Sequence, residues 1–290
     1  MVMGRIKVAV LSGKGGAGKT FVSVSLAQAN KSFAYVDCDV EEPNGNLFFN
    51  GKYVNSLPVS VKVPVFDDAL CTGCRQCVDF CNFNALFYIN GRVKLFEHLC
   101  HNCGGCVVIC PVGAVTERER IVGKINHFSE GETDIITGIL NIGEASGVKL
   151  IESVIDYAQT LDKSLIIDCP PGSACPVNAS IKSADYCLLV AEPTAFGLHN
   201  FKMVHKLVNL TNKPCGVLIN KTYGDDDCVL EYCRENNIEV VGRIPYSEKI
   251  AKKISDGNNT LSDDEDLQKL FLKIINKINH RLSKGSDSAL

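Results

Sequence analysis

The chain has 290 residues, 15 of them cysteine, and 30 Lys+Arg against 33 Asp+Glu for a formal net charge of −3. A hydrophobic content of 46% with 22% charged residues excludes general disorder, and the near-neutral balance carries no nucleic-acid signature. No apolar run approaches the roughly 18 residues that a membrane span needs. The opening MVMGRIKVAVLSGKGG is too short in apolar residues to read as a signal peptide. An odd cysteine count without a secretory signal argues against a closed disulfide framework and for a reducing, cytoplasmic setting.

In chain order, Lys7–Leu11 reads as a short buried strand running into a glycine-rich turn, and Phe21–Asn30 has helical spacing through Val22, Leu26 and Ala29. Phe33–Val36 is a second strand, ending in Asp37-Cys38-Asp39. Eight of the fifteen cysteines then fall between Cys71 and Cys110, a density that marks a metal-binding module inside another kind of domain. Beyond it, Ser164–Ile167, Tyr186–Ala191 and Cys215–Ile219 are strand-like, with helical segments near Asn200–Leu210 and Cys228–Asn236. Alternating strands and helices predict an α/β fold with a mostly parallel sheet covered on both faces. Phosphate-type ligands belong at the carboxyl ends of its strands. The predicted layout is a nucleotide-type domain of residues 1–60 and 119–290, interrupted by an α+β cysteine-rich insert at 61–118. Ser283–Leu290 reads as a frayed tail.

Gly13-Lys14-Gly15-Gly16-Ala17-Gly18-Lys19-Thr20 fits the phosphate-loop pattern G-x-x-x-x-G-K-[ST] between a strand and a helix. The glycines let backbone N–H groups curl around a phosphate at a helix N-terminus. Lys19 can reach β/γ-phosphates, and the Thr20 hydroxyl can bind Mg²⁺. Lys14 is a second lysine within the loop. K-G-G-x-G-K-T resembles the deviant loop of the MinD/ParA/Mrp/nitrogenase-iron-protein class of ATPases. That resemblance implies a homodimer closing around two ATP molecules, with Lys14 reaching the other subunit's phosphates. It also implies that Asp39 orients the attacking water beside Mg²⁺ and that Asp168, in Asp168-Cys169-Pro170-Pro171-Gly172, contacts Mg²⁺. Asp37 reads as a loop-capping residue. Asn220-Lys221 lacks the aspartate of a guanine-reading N-K-x-D, since position 223 is Tyr. Asn220 is either a polar strand end or, by the resemblance, an adenine contact.

The cysteine spacing is Cys71-x2-Cys74-x2-Cys77-x3-Cys81, then Cys100-x2-Cys103-x2-Cys106-x3-Cys110-Pro111. Repeated C-x2-C-x2-C-x3-C is the bacterial two-cluster ferredoxin pattern, in which the fourth cysteine of each run serves the other cluster. It implies one 4Fe–4S cluster on Cys71, Cys74, Cys77 and Cys110, and another on Cys100, Cys103, Cys106 and Cys81. Asn82 follows Cys81 where that pattern has Pro. Structural zinc is the alternative, with C-x2-C pairs set further apart.

Together the motifs resemble MinD-superfamily P-loop ATPases with an inserted ferredoxin domain, a resemblance that also takes in Glu192-Pro193-Thr194 and Asn141-Ile142-Gly143-Glu144-Ala145. It implies an ATPase with a redox or metallocofactor partner protein. Three functions are open: ATP-gated electron transfer, assembly or delivery of a metal–sulfur cofactor, and membrane positioning. Cys175 is either a buried small residue or, by likeness to the nitrogenase iron protein, a dimer-interface cluster ligand or redox thiol. Cys38 and Cys169 read as small residues in tight turns. Leu267–Leu282 is amphipathic and basic, either a helix packed on the sheet or a membrane-surface helix. Two oxidised clusters on eight thiolates would bring the net charge to roughly −7 and favour a partner with a basic docking surface.

Overall fold

The structure is a computed structural model that describes residues 5–258, 261 and 264–287. In chain order its strands are β1 (Lys7–Leu11), β2 (Phe33–Asp37), β3 (Lys52–Phe66), β4 (Leu86–Ile89), β5 (Arg92–Leu95), β6 (Val115–Glu130), β7 (Thr133–Leu140), β8 (Ser164–Asp168), β9 (Tyr186–Ala191), β10 (Cys215–Thr222) and β11 (Glu239–Pro245). The helices are α1 (Lys19–Ala29), α2 (Gln76–Phe80), α3 (Gly105–Val108), α4 (Val148–Gln159), α5 (Cys175–Ile181), α6 (Ala195–Leu210), α7 (Asp227–Glu235), α8 (Glu248–Ser255) and α9 (Glu265–Asp287).

Nine strands form one sheet in the order β11-β10-β9-β1-β8-β2-β7-β6-β3. The seven from β11 to β7 are parallel, and β6 is antiparallel to both β7 and β3. Strand side chains alternate between faces, and here each set feeds a separate core. Ala9, Leu11, Leu165, Ile167, Leu189, Val217 and Ile219 face the layer that includes α4 and α6. Val8, Val10, Ile166, Leu188, Val190 and Leu218 face the layer that includes α1 and α9. Burial on both sides is why these strands read as unbroken apolar runs rather than as alternating ones.

β3 and β6 pair along nearly their whole length, from Lys52↔Ser129 to Phe66↔Val115. β7 pairs only with the later half of β6, ending at Gly123↔Leu140. Leu140 is the last residue of a strand parallel to β2. Residues 60–66 and 115–121 therefore run on past the carboxyl edge of the sheet as a two-stranded ribbon. At its tip sit the β4–β5 hairpin and the short helices α2 and α3. Positions 61 and 118, where the sequence suggested domain boundaries, both fall inside these paired strands. The cysteine-bearing module stands off the same sheet edge that carries the glycine-rich turn.

At the C-terminus one expectation changes and one alternative is decided. Residues 283–287, read as a frayed tail, continue α9 to Asp287, and 288–290 lie outside the described residues. The apolar face of α9 is packed on the sheet: Leu267, Phe271, Ile274, Ile275 and Ile278 are buried in the second core, and Phe271 meets Phe21 of α1 edge-to-face at 5.9 Å. None of the described helices is long and apolar enough to cross a membrane.

Candidate functional site

The loop between β1 and α1 bends through left-handed backbone at Gly16 (φ +83°) and Gly18 (φ +90°). At Gly18 a Cβ would lie 2.2 Å from Asn220 Nδ2, so only glycine fits there. Beside this loop opens a cleft of about 880 Å³, lined by Lys14, Gly15, Gly16, Gly18, Lys19, Thr20, Asp39, Pro171 and Lys221, a size suited to a nucleotide. Gly13, Ala17 and Asn220 stand behind the loop. Gly13 abuts the backbone of Asn200 in α6, and Ala17 is buried. Asn220 is buried and its Nδ2 donates to the Ala17 carbonyl at 2.9 Å. Asn220 thus braces the loop and is not among the cleft's lining residues.

The charged groups form two sets. In the first, Lys19 Nζ donates to Asp168 Oδ1 at 2.6 Å and lies 3.8 Å from Asp39 Oδ2. Asp168, wholly buried at the end of β8, also accepts from Ser23 Oγ at 3.0 Å and from the Tyr35 hydroxyl at 3.0 Å. Burial opposes the Lys19 charge, but Asp168 outweighs it and holds the ammonium above the usual lysine range. Asp37 caps the loop that follows β2, and does so while buried. Its carboxylate accepts from the backbone N–H groups of Asp39 and Gly45. Burial, then the neighbouring Asp168 charge, pushes it up to about 7. Burial also raises Asp39, with the Lys19 charge working against it. In the second set Glu192, past the end of β9, holds Lys14 at 2.7 Å and Lys221 at 3.4 Å. Lys221 also donates to the Gly16 carbonyl at 2.6 Å. Burial raises Glu192, but Lys14 and Lys221 override it and leave the carboxyl below its usual range. Tyr35, Ser23 and Glu192 were not assigned roles from the sequence. Tyr35 looks like one more apolar residue of a buried strand, and its partner is 133 positions away.

The eight clustered cysteines stand around two cavities. Cys81, Cys100, Cys103 and Cys106 line one of about 240 Å³, walled by Phe80, Phe83, Leu86, Leu95 and His101. Cys71, Cys74, Cys77 and Cys110 line a narrower one. The two cysteine runs repeat at an offset of 29 residues, and their backbones repeat with them. Left-handed conformations at Gly73, Arg75 and Asn84 recur at Asn102, Gly104 and Gly113. Such residues turn successive N–H groups toward one centre and favour an anion there. Ala114 N–H already donates to Cys110 Sγ at 3.3 Å. Burial pushes up the thiols of Cys77, Cys100 and Cys106, the last to about 11. The thiols ring cavities rather than converge on a point: among the described residues, no three His, Cys, Asp or Glu side chains gather closely enough for a single metal ion. Cys175 is exposed at the start of α5, whereas Cys38 and Cys169 are fully buried in the core below the cleft.

Known proteins bear on both parts. An uncharacterized protein of Methanocaldococcus jannaschii is 33% identical over 224 residues, covering 74% of this chain and 78% of the relative. An uncharacterized ATP-binding protein of the same organism is 26% identical over 282 residues, covering 93% and 98%. A Rhodospirillum rubrum protein named only as an iron-sulfur protein is 37% identical over 93 residues, 29% of this chain and 48% of its own. The cell-division ATPase MinD of Pyrococcus furiosus shares the fold with a TM-score of 0.57 at 19% identity, over 96% of this chain and 99% of that one. MinD of Pyrococcus horikoshii, solved with Mg-ADP, has a TM-score of 0.58 at 17% identity over 94% and 95%. The model of the CobQ/CobB/MinD/ParA nucleotide binding domain matches residues 8–261, and with the phosphate loop, buried acidic partners and parallel sheet in place, the chain belongs to that family.

Proposed function

We propose that the chain is a Mg-ATP-hydrolysing iron–sulfur protein, a dimeric switch that couples ATP turnover to electron transfer from two 4Fe–4S clusters to a partner protein. One observation carries this reading: two cavities, each lined by four cysteines in the crossed combination of a two-cluster ferredoxin. The donor set fits the group. It is all soft thiol, with inward-turned backbone N–H groups around it, and four thiols ringing a cavity suit a cluster that offers each its own iron. A single zinc would draw its thiolates to about 2.3 Å of one point. When bound, such clusters store and release single electrons. The protein's part is to supply the thiols as thiolates, wall the cavity of Cys81, Cys100, Cys103 and Cys106 with Phe80, Phe83 and Leu86, and hold both sites at the tip of the β3–β6 ribbon.

At the nucleotide site, Lys19 and Lys14 are both engaged with carboxylates. Phosphate oxygens offer each lysine a competing partner, and their capture releases Asp168 and Glu192. Asp168 and Thr20 would then hold Mg²⁺, which neutralises phosphate charge. Asp39, at the cleft and raised by burial, would take the proton of the attacking water. Lys14 leaving Glu192 for the phosphates of a second copy would make dimer closure depend on nucleotide. Delivery of a metal–sulfur cofactor is the second reading, favoured by the exposure of Cys175 seven residues beyond Asp168. Cys175 would then be a labile ligand at the dimer axis. Membrane positioning loses its main support, because the apolar face of α9 is spent on the core.

The test uses the anaerobically reconstituted chain, reduced with dithionite, freed of excess reductant and mixed with an oxidised basic haem protein. Reoxidation that requires Mg-ATP and fails with a non-hydrolysable analogue is the predicted result. Equal reoxidation without nucleotide contradicts gating, and iron release without net oxidation supports delivery instead. Loss of ATPase activity in Lys14→Ala and Lys19→Ala checks the hydrolytic reading alone.

A further inference from the structure

The two cysteine cavities are not equivalent in what they touch. Arg120 lies where the β3–β6 ribbon leaves the sheet, with its side chain only 13% exposed. It grips Glu144 bidentately, Nη1 to Oε1 at 2.5 Å and Nη2 to Oε2 at 2.7 Å. Glu144, 6% exposed, belongs to the loop joining β7 to α4. The Arg120 Nε makes no hydrogen bond and stands 3.5 Å from Glu97 Oε2, while Arg118 Nη2 takes Glu97 Oε1 at 2.5 Å. Glu97 opens the turn that leads directly into Cys100. Beside it, His98 Nδ1 is 3.1 Å from the Gly143 carbonyl of that same loop. No hydrogen bond or ion pair ties the Cys71–Cys77 segment to the ATPase body among the described residues.

The other end of this chain of contacts reaches the nucleotide cleft. Leu140 N–H, at the start of the Glu144 loop, donates to the Val40 carbonyl at 2.9 Å. The Val40 side chain is packed so closely on Gly138 and Gly147 that a Cβ on either would come within 2.7 Å of it. Val40 directly follows Asp39. Val40 thus links Asp39 to both ends of the loop that carries Glu144, so a shift of Asp39 would reach that loop.

We infer that Arg120 is a positioning residue through which nucleotide state tunes one cluster site, the one lined by Cys81, Cys100, Cys103 and Cys106, while leaving the other unchanged. The inference rests on the cluster reading above. With Glu144 in place, the guanidinium charge is compensated from the ATPase side. When the loop withdraws, Glu97 alone is left between Arg118 and Arg120, and one net positive charge acts on the Cys100 site uncompensated. Reduction there adds one negative charge, so an uncompensated cation stabilises the reduced form and raises the reduction potential. The two sites thus take on separate duties, one answering to nucleotide and the other free to exchange electrons with the partner.

The experiment is a redox titration of the full reconstituted chain followed by electron paramagnetic resonance, with and without Mg-ATP. The expected result is that one potential moves upward with Mg-ATP and the other stays still, with the moving signal absent in Cys103→Ser. In Glu144→Gln that same potential should already be raised without nucleotide and gain no further shift from Mg-ATP. Neither potential moving, both moving alike, or a full shift persisting in Glu144→Gln overturns the inference. A second arm needs no cluster: hydrogen exchange of the 97–103 amides in the wild-type apoprotein should change on nucleotide binding, and unchanged exchange rejects the coupling. If iron analysis finds no clusters, the function proposed above fails, while this second arm still decides whether the loop communicates.

Discussion

At the scale of single residues, the nucleotide site is held ready by a buried network whose acidic centre is already partnered. Asp168 receives Lys19, Ser23 and Tyr35, so the carboxylate is oriented before any ligand arrives. The Tyr35 hydroxyl has room only because residue 45 is glycine, where a Cβ would come 1.7 Å from that oxygen. Tyr35→Phe removes one donor from a buried carboxylate and should cost about 1–3 kcal/mol, read by chemical denaturation; an unchanged midpoint contradicts the role. Asp37 gives a pH signature. Pushed up to about 7 by burial and the Asp168 charge, it keeps a proton in the folded state that the unfolded chain gives up near pH ~4. Between those values the folded state binds more protons, so this group lowers stability as pH rises from about 4 to about 7. Asp37→Asn should flatten that part of the slope in thermal unfolding across pH, and parallel curves for the two proteins contradict the assignment. Lys19 and Asp168 were legible in the sequence because local motifs announce them. Tyr35 and Glu192 were not, because their roles come from partners that only the sheet order brings near.

At the scale of elements, legibility followed burial. β1 and β9 appear in the sequence at their observed limits, because strands covered on both faces leave unbroken apolar runs. β3 and β6 left no such trace. β3 is an edge strand carrying Pro58 and Pro64, with much of its first half exposed, and the first half of β6 holds Glu117, Arg118, Glu119 and Arg120. Only single residues such as Val59, Val61, Val63, Val122 and Ile125 reach the core, so neither strand shows the unbroken apolar run of one covered on both faces. The C-terminal segment was legible as an amphipathic helix, and of its two destinations, the sheet or a membrane surface, the structure takes the sheet. Phe271 settles that, fully buried against Phe21. Phe271→Ala should cost about 3–5 kcal/mol, the range for emptying a large aromatic site in a core. A loss below ~1 kcal/mol in urea denaturation would mean that α9 is not part of the core.

At the scale of the whole molecule, the arrangement gathers both chemistries on one edge. The phosphate loop, Asp39, Asp168 and Glu192 lie at the carboxyl ends of parallel strands, the usual place for ligands in such sheets. The β3–β6 ribbon projects the cysteine module from that same edge, and Arg120 with Glu144 ties the two together. The central claim is that the eight cysteines hold two clusters in crossed sets on a nucleotide-driven body. Iron and sulfide analysis with electron paramagnetic resonance on the reconstituted chain tests it most directly. The account predicts about eight irons per chain, falling to about half in Cys81→Ser with loss of the site that also uses Cys100, Cys103 and Cys106. Stoichiometric zinc in place of iron, or loss in Cys81→Ser of the site that uses Cys71, Cys74 and Cys77, contradicts it.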